Sequence, residues 1–279
     1  MADTSVITLP RDPSRAAVNR GAGLWSSSLL VAGRMVRKFA RTPQLIVFTT
    51  IQSALFLLMF RFAFGGAIGT GSSLTYVNFM VPGFITSSIL WAGMGAATGV
   101  AEDIDHGFVD RLRSLPIPRL AVLTGRALAD MVLMVWSLAT ATAFGFIVGF
   151  RLTGSVTDAL AAFGLCVLFG FAFEWVFILI GLLGGNAQAA QSMGLLVVPL
   201  VFLSSAYVPV ASMPIGVRQF GEVQPLTPMV DAVRSLAIGP GGQALAAHST
   251  GYYIGLSLVW TAAICVVAGF LAAWRFARR

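Results

Sequence analysis

Six apolar stretches dominate the chain, roughly 44–64, 77–100, 121–149, 159–183, 190–210 and 252–274. An α-helix rises about 1.5 Å per residue, so about 20 such residues cross the hydrocarbon core of a bilayer. Inside hydrocarbon every backbone N–H and C=O must be bonded within its own segment or within a closed barrel. Runs of this length suit helices rather than strands. The expected fold is therefore all-α: a polytopic membrane protein with six transmembrane helices. A soluble protein with a large core is the competing reading. It fails on charge, because 29 charged residues in 279 are too few to solvate the surface of a chain this long.

The charges that remain are distributed by side of the membrane. The formal net charge is +7, carried by seventeen arginines and a single lysine, Lys38. With both termini in the cytoplasm, fourteen of the eighteen basic residues fall on the inside and only Arg61, Arg151, Arg218 and Arg234 outside. That is the positive-inside pattern, and it places both ends of the chain in the cytoplasm. No basic stripe interleaved with aromatics occurs, which removes nucleic acid from the partners. The two cysteines, Cys166 and Cys265, lie inside apolar runs and read as buried free thiols. His106 and His248 fall on opposite sides, so no metal site is expected.

Residues 1–25 are polar, contain Pro10 and Pro13 and lack the apolar core of a signal peptide. A disordered cytoplasmic tail is expected there, with the membrane domain over 26–279. Residues 26–42 place Leu29, Leu30, Met35, Val36 and Phe39 toward one side of a helix and Arg34, Arg37, Lys38 and Arg41 toward another. Such a helix lies in the membrane interface with its basic side at anionic headgroups. Residues 212–239 are too polar to span and too apolar for a plain loop. Thr227 and Pro228 suit an N-cap and first helical position, and Met229, Val230, Val233 and Leu236 follow at helical spacing. An amphipathic or re-entrant segment in the outer leaflet is expected.

The densest charge stands between the second and third runs, in EDIDHGFVDRLRSLPIPR, residues 102–119. Asp103 or Asp105 suits a helix start, Phe108, Val109, Leu112 and Leu115 recur at helical spacing, and Pro116 and Pro118 end the pattern. A solvated turn explains the arginines but not the four acids, which contribute little to orientation. A mixed-charge amphipathic helix over 102–118, fixed between two spans, reads better as a docking element for another protein.

This order of elements resembles the ABC-2 type transporter permeases, and within them the daunorubicin-resistance drug-efflux type. The likeness is carried by FGGAIG at 64–69, VPGF at 81–84, GFVDRLRSLPIPR at 107–119 and PLTPMVDAVRSLAIG at 225–239. It covers nearly everything from about residue 25 onward. The resemblance implies a permease paired with a second copy or a related permease and bound to two cytoplasmic ABC ATPase subunits. ATP and magnesium belong to those subunits, and no cofactor is bound directly. The 102–118 helix becomes the coupling helix, with Glu102, Asp103, Gly107, Phe108, Asp110, Arg111 and Arg113 as its contacts. It also implies export of a small hydrophobic or amphipathic substrate, a drug or a lipid, across the cell membrane. Independently, a P-loop needs GxxxxGK[ST], and Lys38 in VRKFA has no glycine cradle. Any ATPase activity must come from a partner.

Glu174 sits deep in the fourth run, in FGFAFEWVFILI. An ionised carboxylate there costs on the order of 2.5 kcal/mol or more. It must face the bundle interior, carry a proton or find a partner. It serves either a cationic substrate or proton-linked switching, or it is a neutral acid bonded between helices. Arg126 and Asp130 form an i, i+4 pair in the third run, a structural feature. Thr49, Thr50, Gln52, Ser204 and Ser205 are candidates to bridge helices. GMGAATG at 93–99 allows close helix approach, with a seam between two copies as a second reading. Alternatives to the drug exporter are a permease for polysaccharide or lipid-linked glycan and a non-transporting anchor of a cytoplasmic complex. An intramembrane enzyme built on Glu174 lacks a second acid, His or Ser at helical spacing.

Overall fold

The computed structural model describes residues 23–64, 76–108 and 119–278. Among them every regular element is helical. The chain opens with α1 (Leu24–Ala40), α2 (Pro43–Phe64), α3 (Tyr76–Asp105), α4 (Arg119–Val148) and α5 (Val156–Gly184). Shorter pieces follow, α6 (Ala187–Gly194), α7 (Val197–Phe202), α8 (Ile215–Val223), α9 (Leu226–Ile238) and α10 (Pro240–Gln243), before α11 (Thr250–Arg278) closes the chain. Five of these helices, α2, α3, α4, α5 and α11, are long and apolar enough to cross a membrane.

Helices α3 and α5 form the centre, and α2 and α11 leave most of their apolar surface uncovered. The core is continuous from Phe79 and Met80 on α3 through Leu138 on α4 to Phe169 and Phe177 on α5. The ends of α5 are specified locally. The Ser155 hydroxyl accepts the Asp158 N–H at 3.1 Å, the Asp158 carboxylate accepts the Ser155 N–H at 3.3 Å, and Gly185 turns the chain out with φ 75°.

The fifth apolar run is not one rod. It is the pair α6 and α7 with a turn at Leu195 and Leu196. Pro199 explains the break: it has no N–H to give the Leu195 carbonyl, and its ring crowds that same group. Hydropathy reads straight through such a proline, whereas Pro82, near the start of α3, interrupts nothing. The chain then turns back at residues 204–207 and lies against α3, which Gly83 permits. A Cβ on Gly83 would stand 2.0 Å from the Ala206 carbonyl oxygen.

Helix α9 packs inside the bundle. Eleven of its thirteen residues are buried, wedged among α3, α5 and α11. It begins at Leu226 after Pro225, so Thr227 does not cap it. The Thr227 hydroxyl instead accepts the Ser205 N–H at 3.3 Å. Gly239 ends the helix at φ 63°, as its position after the apolar spacing anticipates.

Helix α1 packs on α4 through its small side. Ser28 meets Thr124 at 2.6 Å, and Gly125 lies under Ser28 and Val31. Trp25, Leu29 and Leu30 point away from the protein, exposed. Thr49 and Thr50 bond back to the Ile46 carbonyl of their own helix and bridge nothing. Arg61 donates to the Val148 carbonyl and so ties α2 to α4. In the 93–99 stretch, Gly93 faces the Phe177 ring and Gly99 faces Arg126. Those two glycines are used inside the chain, and Gly95 alone opens on empty space.

Candidate functional site

Helix α1, the end of α3, the start of α4 and the end of α11 share one end of the bundle, the basic end. The 102–108 stretch lies here. Residues 102–105 are the last turn of α3, so Asp103 and Asp105 close a helix rather than start one. His106 follows in a turn, its N–H and its ring Nδ1 both within 2.9 Å of the Glu102 carbonyl. Gly107 takes φ 67°, a left-handed value that breaks the helix. Glu102 and Asp105 are exposed. Phe108 is half-buried, with the Arg34 guanidinium 4.9 Å from its ring centre. Of the expected docking residues, Asp110, Arg111 and Arg113 lie outside the described residues.

Asp103 points the other way, into the bundle. Its carboxylate accepts from Arg126 Nη1 at 2.7 Å, and Arg126 Nε donates to Asp130 at 2.5 Å. Arg126 is 8% exposed and Asp130 6%. Glu174, 3% exposed, comes level with Asp130 from α5, because Gly170, one turn before it, packs on Met134, one turn after Asp130. Its Oε1 has no hydrogen-bonding partner. Three features that look separate in the sequence thus form one cluster: the start of the charged stretch, the i, i+4 pair and the lone intramembrane acid. The second acid that Glu174 lacks on its own helix is Asp130, supplied by α4. Gly99 makes room for the guanidinium, since a Cβ there would meet Arg126 Nη2 at 2.3 Å. Apolar neighbours Val100, Val122, Leu123 and Phe276 close the site, and a cavity of about 20 Å³ beside Asp103 and Arg126 holds no more than a single water.

A second buried ion pair at the opposite end escapes sequence reading. Arg234 on α9, 3% exposed, donates to Asp231 at 2.7 Å, to the Ser205 carbonyl at 2.6 Å and to the Phe79 carbonyl at 3.1 Å. Its guanidinium lies 4.0 Å from the Phe79 ring centre. The Ser205 hydroxyl donates to Asp231 at 2.8 Å, so Ser205 does bridge segments as its position anticipates. Burial raises the Asp231 carboxyl above its ordinary range, against the opposite pull of Arg234 and Ser205. The sequence signal was present as D-x-x-R, an i, i+3 pair on a helix whose other residues are nearly all apolar.

Between the two ends lie small cavities. One of about 70 Å³ borders Pro82, Phe150, Phe163, Cys166 and Val233. Another of about 50 Å³ borders Gln52, Ser53, Ser88, Trp91 and Ser137. Drug-sized ligands fill roughly 300–1,000 Å³, so neither holds one whole. Among the described residues no three His, Cys, Asp or Glu side chains are arranged to hold a metal ion.

The sequence pattern of the ABC-2 type transporter family matches residues 28–238. The daunorubicin resistance ABC transporter permease protein DrrB1 of Streptomyces coeruleorubidus is 28% identical over 248 residues, 88% of this chain and 82% of that protein. The probable doxorubicin resistance ABC transporter permease protein DrrC of Mycobacterium tuberculosis is 24% identical over 242 residues, 87% of this chain and 85% of its own length. A putative transport permease of Cyanophora paradoxa, ycf38, is 24% identical over 206 residues, 73% and 71% of the two chains.

Proposed function

The chain belongs to the ABC-2 type transporter family, and from that premise we propose that it is the permease subunit of an ATP-driven exporter. It is a membrane protein and a transport component rather than an enzyme. Two cytoplasmic ABC ATPase subunits, carrying ATP and magnesium, drive it, and a second permease copy or a related permease completes the path. The substrate is hydrophobic or amphipathic, a drug or a lipid. The drug resistance named for two relatives supports that class, and the small internal cavities favour a path between subunits over one through a single bundle.

In this reading the basic end faces the cytoplasm of the cell, with both termini there, and α1 lies in the interface with Trp25, Leu29 and Leu30 in lipid. The sixth crossing is made by the broken pair α6 and α7, and α9 re-enters from the outside. The observation that carries the docking role is the two-faced 102–108 stretch. Glu102 and Asp105 are exposed, while Asp103 and Phe108 hold onto Arg126 and Arg34 of the same chain. A partner pressing on the exposed face moves a segment already tied to the buried cluster. Glu102, Gly107, Asp110, Arg111 and Arg113 make the contact, and Asp103 and Phe108 transmit it.

Gentle purification from native cells with mass spectrometry tests this. The wild-type chain is expected to bring down a P-loop ATPase, and Asp110→Arg with Arg111→Asp to lose it at equal expression. Intact, well-folded wild type that recovers no ATPase under several conditions would overturn the reading.

A further inference from the structure

The cluster at the basic end holds three carboxyl groups, Asp103, Asp130 and Glu174, against one guanidinium, Arg126. Among the described residues, Arg126 is the one cation paired with these acids; Arg34, on the neighbouring α1, lies over the Phe108 ring instead. Helix α5 packs against α3, α4, α6, α9 and α11. From α3 comes Asp103, and from α4 come Arg126 and Asp130. Helix α6 carries no ionisable side chain, and the charges of α9 are closed on each other in the Arg234–Asp231 pair. Helix α11 carries Arg275 and Arg278 only in its last turn, with Arg278 stacked on Trp274, and its Cys265 flanks the cluster only part-buried.

Three ionised carboxylates would leave this pocket with two uncompensated negative charges in a setting that tolerates none. Asp103 is the rim member, with 19% of its side chain exposed and a direct pair with Arg126. Glu174 and Asp130 are the deep members, and the α4–α5 packing sets them level: a Cβ on Gly170, one turn before Glu174, would stand 2.0 Å from the Sδ of Met134, one turn after Asp130. Two carboxyl groups form a hydrogen bond only when one of them carries the proton. We infer that Glu174 and Asp130 form a proton-binding site within the membrane, in which one carboxyl O–H donates to the other carboxylate. The free Glu174 Oε1 is the mark of it, because an ionised carboxylate buried among so few donors would leave both oxygens in need of partners. The cavity of about 20 Å³ beside Asp103 and Arg126 borders neither Glu174 nor Asp130, and both of those side chains are buried. A metal ion is excluded by geometry, since the three acids do not converge on one point and Arg126 stands between Asp103 and Asp130.

The site lies one ion pair from the 102–108 stretch, through Arg126. Displacing Asp103 leaves the guanidinium to the two deep carboxyls alone, and so couples proton occupancy to the position of that stretch. The proton site itself rests only on the residues of this chain. It stands whether or not an ATPase docks.

Infrared spectroscopy of the full chain in nanodiscs reads it directly. At neutral pH the wild type is expected to show a protonated-carboxyl C=O band. The chain has only three glutamates, Glu102, Glu174 and Glu222, and Glu102 and Glu222 are exposed. Uniform ¹³C labelling of glutamate therefore shifts the band if Glu174 holds the proton, with no variant required. If an aspartate label shifts it instead, loss of the band in Asp130→Asn and its survival in Asp231→Asn place the proton on the other half of the pair. Absence of the band in wild type, a band moved by neither label, or a band lost only in Asp231→Asn would overturn the inference.

Discussion

The two buried arginines of this protein keep different company. Arg234 has one carboxylate, two carbonyls and an aromatic face, and every partner is matched. It fastens α9 to α3 and to the turn at Ser205. Arg126 faces three acids, one of them at the rim and one with a bare oxygen. A balanced pair of this kind fixes a structure. An unbalanced one has states, because proton count and partner choice are both free to change. The molecule places the fixed kind under its re-entrant helix and the changeable kind beside the stretch expected to meet a partner.

The sharpest way to break this contrast is to delete the outnumbered cation. Arg126→Ala strands three acids and is expected to cost about 5 kcal/mol, read as a collapse in folded yield and thermal stability in nanodiscs. Paired replacements come next. Arg234→Met with Asp231→Leu removes a closed pair and is expected to cost about 2 kcal/mol less than the two single changes summed. Arg126→Met with Asp130→Leu recovers little, since Asp103 and Glu174 remain. Equal recovery in both double variants would erase the distinction. Asp231→Asn leaves Arg234 buried without its anion, and a loss of about 3 kcal/mol is expected in the same unfolding assay. Gly99→Ala pushes a methyl group against the Arg126 guanidinium, and a loss of about 1–2 kcal/mol is expected. Glu174→Gln is expected to cost about 1 kcal/mol or less, because it keeps the shape of a neutral acid and a donor for Asp130. A large loss there would mean that Glu174 is ionised and paired.

Much of this architecture was legible along single helices. The long apolar runs located α2 to α5 and α11, the spacing of Met229, Val230 and Val233 located α9, and an isolated Glu174 demanded an interior partner. The Arg126–Asp130 pair was visible because one helical turn joins its members. What the sequence hid was convergence between helices. Asp103 and Glu174 share a site only because α3, α4 and α5 are rotated toward a common seam, and no periodicity within one helix encodes the rotation of another. The break at Leu195 was hidden for another reason: Pro199 is as apolar as its neighbours, and its effect is on backbone geometry. The burial of α9 among three helices was hidden likewise, because its one charged pair, Asp231 and Arg234, closes on itself inside the bundle.

The i, i+4 spacing of Arg126 and Asp130 also bears on how the chain is made. During synthesis α4 enters the bilayer already carrying its own counter-ion, so its charges travel as a neutral unit from the first moment. Glu174 arrives later, on a helix with no cation of its own. It must therefore pass into the membrane as an acid with its proton attached, and it finds that neutral state waiting beside Asp130 when the helices assemble. The order of the helices along the chain thus brings Glu174 into the bilayer after the Arg126–Asp130 pair that it joins.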